Sequence, residues 1–226
     1  MARSVGEISQ RLSLYHGDPS LHNKRDPLDE LIFIILSAKT SESSYLRTYR
    51  ALAKAFPNWF DILESRRGSV SRVIKGGGLS KRKESQIRRL LGRIRDQSPT
   101  GDLSFLRKLS DEEAERFLTT LPGVGLKTAR CVLMYTMNRQ KFPVDTHVKR
   151  ILNRIGLIKS ERLTDRVQDE IQRIIPMDIR YKLHVNLVAH GRTICKAANP
   201  FCQSCVLSDI CEYSKVHSDH RTGGSR

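Results

Sequence analysis

The sequence has no apolar run long enough to span a bilayer. The longest, Leu31–Leu36, is far short of the roughly 20 residues required, and no amphipathic basic anchor accompanies it. The start, MARSVGEISQRLS, lacks the apolar stretch of a signal peptide. The expected home is therefore a reducing compartment, the cytoplasm, and the nucleoid if the source is prokaryotic. No convincing stretch alternates apolar and polar residues as a strand would, and no internal repeat is visible. Acidic residues are scarce as well, 24 against 40 lysines and arginines, which leaves a formal charge of +16 on 226 residues. Such an excess repels the folded chain from itself and is usually kept for a polyanion. With a membrane set aside, nucleic acid is the expected partner.

What is present is helical periodicity. Ile8, Leu12 and Tyr15 fit an opening helix that His16-Gly17 ends. Asp26-Pro27 reads as N-cap and first-turn proline before the apolar helix LDELIFIILSAKT. Short helices are expected near 58–63 and 70–74. After GGGLS, Ser80 is expected to cap a long helix bearing Ile87, Leu90, Leu91 and Ile94. Ser110 and Glu113 form a capping-box pattern, and apolar stripes follow Gly125 and Asp145. Further helices are expected at about 165–175 and 181–190. The fold class is all-α, with the tail 214–226 read as disordered.

Four of five cysteines fall late, Cys195, Cys202, Cys205 and Cys211, spaced C-x6-C-x2-C-x5-C. In a reducing compartment such crowding points to a metal site rather than disulfides. Zinc and an iron–sulfur cluster suit that spacing equally. Cys131, far away in sequence, reads as a small core residue.

The stretch LPGVGLKT lies between two helical patterns, as in a helix-hairpin-helix. Gly123 and Gly125 let the backbone approach a ligand closely, and the unpaired N–H groups of the next helix suit a phosphate. Lys127 stands in that helix's first turn, where the helix dipole and cations such as Arg130 disfavour its charged form. An amine so perturbed is a nucleophile able to form a Schiff base. Asp145, after Pro143-Val144, reads as an N-cap held ionised by the dipole and by N–H donors. From pattern alone, Lys127 as one more phosphate-binding cation and Asp145 as only a cap are the simpler readings.

LPGVGLKTA, VDTHVKRILNRIGL and HGRTIC with its cysteine loop, in that order, closely resemble the endonuclease III branch of the helix-hairpin-helix DNA glycosylases. The likeness runs from about Ser9 to Tyr213. It implies a two-lobed helix-hairpin-helix glycosylase fold with a C-terminal iron–sulfur loop. One domain would span 20–139, the other 1–19 plus 140–213. It implies Lys127 as the catalytic amine, Asp145 as the catalytic carboxylate, and a [4Fe-4S] cluster on Cys195, Cys202, Cys205 and Cys211. Because the adenine-glycosylase branch lacks the lysine and is monofunctional, its presence here implies lyase activity too. The substrate would be double-stranded DNA with a damaged base, most simply an oxidised pyrimidine, or an abasic site, met by a monomer. Leu79 in GGGLSKRK matches the leucine that relatives wedge into the helix when the base is flipped out. Lys81, Arg82 and Lys83 beside it are expected to touch phosphates, as are the turn glycines Gly123 and Gly125.

Two departures stand out. Relatives carry glutamine where ILSAKT has Lys39, and a cation there would meet the estranged base or a phosphate. The loop KAANPF holds one cation where relatives tend to have more. His147 resembles a family position near the active site, while His190 and Arg192 read as packing and tethering groups. Open alternatives are a glycosylase for mismatched or methylated bases, a non-catalytic damage binder, and a zinc-stabilised nucleic-acid module.

Overall fold

The structure, a computed structural model, describes residues 4–98 and 100–218. Among them every regular element is a helix and no strand occurs, as the all-α reading requires. No helix is long and apolar enough to cross a membrane. The chain separates into two compact units, Asn23–Arg139 and Met1–His22 with Gln140–Arg226.

Helix α1 (Val5–His16) belongs to the second of these and ends on Gly17, whose φ of 70° lets its N–H return to Ser13 O at 2.8 Å. The unit Asn23–Arg139 is built from α2 (Pro27–Ser37), α3 (Glu42–Ala55), α4 (Asp61–Glu64), α5 (Ser69–Val73), α6 (Ser80–Gln97), α7 (Asp111–Thr120) and α8 (Leu126–Met137). Asp26 caps α2, accepting from the N–H groups of Leu28 and Asp29, both at 2.9 Å, with Pro27 in the first turn. Helix α2 is apolar nearly all round, so it is buried on nearly all sides, against α3, α6 and α8. Leu31, Ile32 and Leu36 are wholly buried, and truncating any one to alanine costs about 2–5 kcal/mol. The capping box at α7 is complete: Glu113 N donates to Ser110 Oγ and Ser110 N to Glu113 Oε2. Helix α3 was not among the expected helices, because it commits only Tyr45, Thr48 and Leu52 to the core.

The other unit adds α9 (Thr146–Arg154), α10 (Asp165–Ile174), α11 (Arg180–Thr193) and α12 (Glu212–Ser218) to α1. Helix α11 is its axis, packed by α1 and α9, with Ile8, Leu12, Ile151, Leu152, Leu183 and Leu187 between them.

Two expectations need correction. Ser80 does not cap α6: it is the first helical residue, and the cap position falls to Leu79, in the left-handed region at φ 51° with no side-chain cap bond. The tail expected to be disordered from 214 begins instead inside α12, which the aromatic Tyr213 and buried Ser214 hold to the fold. Residues 219–226 lie outside the described residues.

Candidate active site and cysteine-lined cavity

The hairpin joining α7 to α8 is made by two glycines with different reasons to be there. Gly123 has φ +78°, and a Cβ on it would stand 2.4 Å from Gln86 Nε2, whose amide donates to Gly123 O at 3.2 Å. Only glycine fits. Gly125 is extended (φ −93°, ψ 175°), a conformation open to any residue, and a Cβ there would meet nothing within 4 Å. Its lack of a side chain serves nothing inside the protein, so what it leaves open is access to the backbone at the start of α8. Gly125 is that helix's N-cap and makes no side-chain cap bond.

Lys127 is the second residue of α8 and is half-buried. Arg130, expected to oppose its charge, does not act as a bare cation: it is 1% exposed and its Nε lies 3.1 Å from Glu115 Oε2. One charge coupled to Lys127 is invisible in the sequence pattern around that lysine. Glu30 on α2 is fully buried, accepts from Asn23 Nδ2 and from Lys24 N at 2.7 Å, and feels the cations of Lys127 and Lys24. Burial pushes its carboxyl up to about 7, against those bonds and charges. A glutamate inside the apolar run LDELIFIIL was the signal that could have found it.

Lys39 and Leu79 sit on two neighbouring turns of the same unit. Both are exposed, Leu79 by 49%, and both are non-glycine residues with positive φ, 52° and 51°. Such conformations cost on the order of 1 kcal/mol or more each and persist only when their surroundings enforce them. Lys81 and Arg82 are exposed on the first turn of α6. Lys83 departs from expectation: it is 3% exposed and its ammonium is spent on buried acceptors, so it has no reach to a phosphate.

Asp145 lies in the other unit. The segment 141–144 leading to it is buried. Phe142 N donates to Gln172 Oε1 at 2.9 Å, and Pro143 O lies 2.9 Å from His184 Nδ1. These contacts deliver Asp145 to the N-cap of α9, where its carboxylate accepts from Val148 N at 2.8 Å. His147 is half-buried, with Gly191 of α11 so close that a Cβ there would stand 2.6 Å from the His147 Cβ. Burial lowers its pKa, so it is neutral at neutral pH and brings Arg150 a hydrogen-bond partner rather than a charge of its own.

The four late cysteines come together. Cys195, Cys202, Cys205 and Cys211 line one small pocket, open to solvent, beside Arg154, Phe201 and Tyr213. Arg154 donates to Cys195 Sγ at 3.2 Å and to Lys196 O and Ala197 O, while Arg150, one turn earlier, holds Cys195 O and Gly191 O. His190 is buried, its Nε2 3.3 Å from Cys205 Sγ and its Nδ1 3.0 Å from His16 Nε2. Burial pushes Cys205 up to about 11 and Cys211 upward, and the neighbouring sulfurs add to both shifts. Four thiolates cannot share this space without a bound cation to offset them. Among the described residues no three His, Cys, Asp or Glu side chains converge on a single-ion position. Cys131, by contrast, is a buried core residue of α8.

Residues 32–177 match the family profile described as "HhH-GPD superfamily base excision DNA repair protein". At3g47830 of Arabidopsis thaliana, which carries a DNA glycosylase name, is 36% identical over 165 residues. That match takes in 73% of this chain and 56% of the Arabidopsis protein, so the chain spans little more than half of that relative. Endonuclease III of Thermotoga maritima is 30% identical over 195 residues, 86% of this chain and 87% of that protein. The solved structure of a non-covalent endonuclease III–DNA complex aligns at a TM-score of 0.83 and 25% identity, covering 97% of this chain and 100% of that one.

Proposed function

The chain belongs to the HhH-GPD superfamily of base excision DNA repair proteins, as an endonuclease III-like member, and from that premise we propose that it is a bifunctional DNA glycosylase and abasic-site lyase. Its substrate is duplex DNA carrying an oxidised pyrimidine. What most supports the reading is the place of Lys127, an amine on the second residue of a helix whose glycine N-cap leaves the backbone open to a phosphate.

In this mechanism the Lys127 amine attacks C1′ of the flipped nucleotide as the bond from C1′ to the base breaks, and the base leaves with a proton. Asp145, whose carboxylate accepts from Val148 N at the α9 N-terminus, stabilises the oxocarbenium character that builds on the sugar. The C1′–O4′ bond then breaks, O4′ taking a proton as the sugar ring opens, and the Lys127 nitrogen and C1′ are left as an iminium, which acidifies C2′. Loss of a C2′ proton breaks the C3′–O bond, releasing the downstream strand with a 5′ phosphate, and water frees Lys127. Lys39 and Leu79 meet the duplex where the base has left, and Lys81 and the backbone at Gly123 and Gly125 meet phosphates. Cys195, Cys202, Cys205 and Cys211 fit a [4Fe-4S] cluster: four sulfurs line one pocket without converging on a single-ion position, and Arg154 faces them with a compensating charge. When bound, the cluster supplies a cross-link that fixes the loop 195–211.

The test is product analysis on duplexes bearing one oxidised pyrimidine, one G·T mismatch or one 5-methylcytosine. The reading expects release of the oxidised base and a strand break without alkali. A break appearing only after alkali, or excision confined to the mismatch or the methylated base, refutes it.

A further inference from the structure

The two exposed turns that carry Lys39 and Leu79 are joined by one buried side chain. Lys83 Nζ donates to Leu36 O at 2.7 Å, to Thr40 Oγ1 at 2.6 Å and to Gly77 O at 3.0 Å. An ammonium has three hydrogens, and each has an acceptor. Leu36 O belongs to the last turn of α2, and Gly77 O closes the short 3-10 turn Lys75–Gly77. Both are helix-end carbonyls that attract a cation. The Thr40 hydroxyl, which accepts from Lys83, lies 2.7 Å from Gly77 O and so bridges the same two segments again. Lys83 also reaches Leu79 through its backbone, donating N–H to Leu79 O at 2.9 Å. Its three side-chain acceptors are all uncharged, and burial works against its charge. A lysine placed only to fill space would not need to hold a charge there.

We propose that Lys83 is a positioning residue whose ammonium ties the turns at 36–40 and 77–79 into one rigid piece, so that Lys39 and Leu79 enter the duplex together as a two-pronged probe. The left-handed backbone at both residues is what the clamp enforces. This rests on the DNA-repair reading above, because a probe is needed only where a base must be displaced.

The test compares wild type with Lys83→Met, which keeps the stem and removes the ammonium, and Thr40→Val, which removes only the hydroxyl bridge. Three readouts are taken on each: the melting curve, β-elimination on an abasic site in single-stranded DNA, and the fluorescence of 2-aminopurine placed opposite the lesion in a duplex. A single strand has no partner base to displace, so the clamp predicts cleavage there within about twofold of wild type. On the duplex it predicts a drop of tenfold or more in base excision and loss of the 2-aminopurine rise for Lys83→Met, and a smaller loss for Thr40→Val. Equal loss on both substrates, or none on either, overturns the clamp. If Lys83→Met does not fold, Thr40→Val decides by the same split. If wild type shows the fluorescence rise but no chemistry on either DNA, the enzymatic reading fails while the clamp is still judged by the fluorescence of the variants. A wild type without that rise has no probe to position, and the clamp falls.

Discussion

Replacing Glu30 by glutamine isolates one charge at a place where its effect can be calculated. The carboxyl ionises near 4.5 in an unfolded chain and is pushed up to about 7 in the folded one, chiefly by burial. Between those values the folded protein holds a proton the unfolded chain has released, so stability falls as pH rises through that window and levels off above it. With those two values, wild type loses about 2.5 kcal/mol from this group between pH 5 and pH 8. Glutamine keeps the shape and the acceptor for Lys24 N but has no charge to bury, so its own constant cost is the same at both pH values. Trp59 is the only tryptophan, is 8% exposed, and donates to Asp29 beside Glu30 at 2.6 Å. Its fluorescence in a urea titration therefore reports the unit that contains the substitution. Glu30→Gln should gain about 2.5 kcal/mol relative to wild type on going from pH 5 to pH 8, and a Lys127→Ala background should move that window to higher pH. A difference between variant and wild type that does not change with pH would mean that Glu30 carries no buried, pH-dependent charge.

Asp145→Asn and Asp145→Ala separate charge from cap. Asparagine caps as well as aspartate, so only alanine should lower stability, by about 1 kcal/mol in a thermal melt, while both should cut base excision on the order of 100-fold or more. At the hairpin, Gly123→Ala forces a Cβ into Gln86 at φ +78° and should cost about 1 kcal/mol or more. Gly125→Ala should leave the melt unchanged and weaken duplex binding, measured by anisotropy. Purified protein should be brown, with broad absorbance near ~400 nm that Cys202→Ala abolishes, whereas a colourless zinc protein would contradict the cluster.

The sequence made legible what depends on local chemistry. The Asp26 cap with Pro27, the Ser110–Glu113 box and the Gly17 stop are each announced within a few residues and stand in the structure as expected. What depends on packing was not legible. Helix α3 shows the core only three side chains, too few for a clear stripe. Ser80 looked like a cap because nothing local reveals that Leu79 would take the left-handed position. Lys81, Arg82 and Lys83 read as one basic run, yet the helix turns the third inward to carbonyls 6 and 47 residues away in sequence. Arg130 reads as an open cation in the sequence because its partner, Glu115, lies on a different helix. Gly123 and Gly125 looked alike, and only backbone angles separate the one that must be glycine from the one that leaves room.

If Lys127 becomes covalently bound to DNA during the reaction, borohydride reduction captures the bond. Wild type and Lys127→Ala are each incubated with a duplex containing one abasic site, reduced, and run on a denaturing gel. Wild type should give a protein–DNA adduct and Lys127→Ala none, with both proteins still binding the duplex. A wild type that binds without forming an adduct, or an adduct that survives Lys127→Ala, contradicts that role for Lys127.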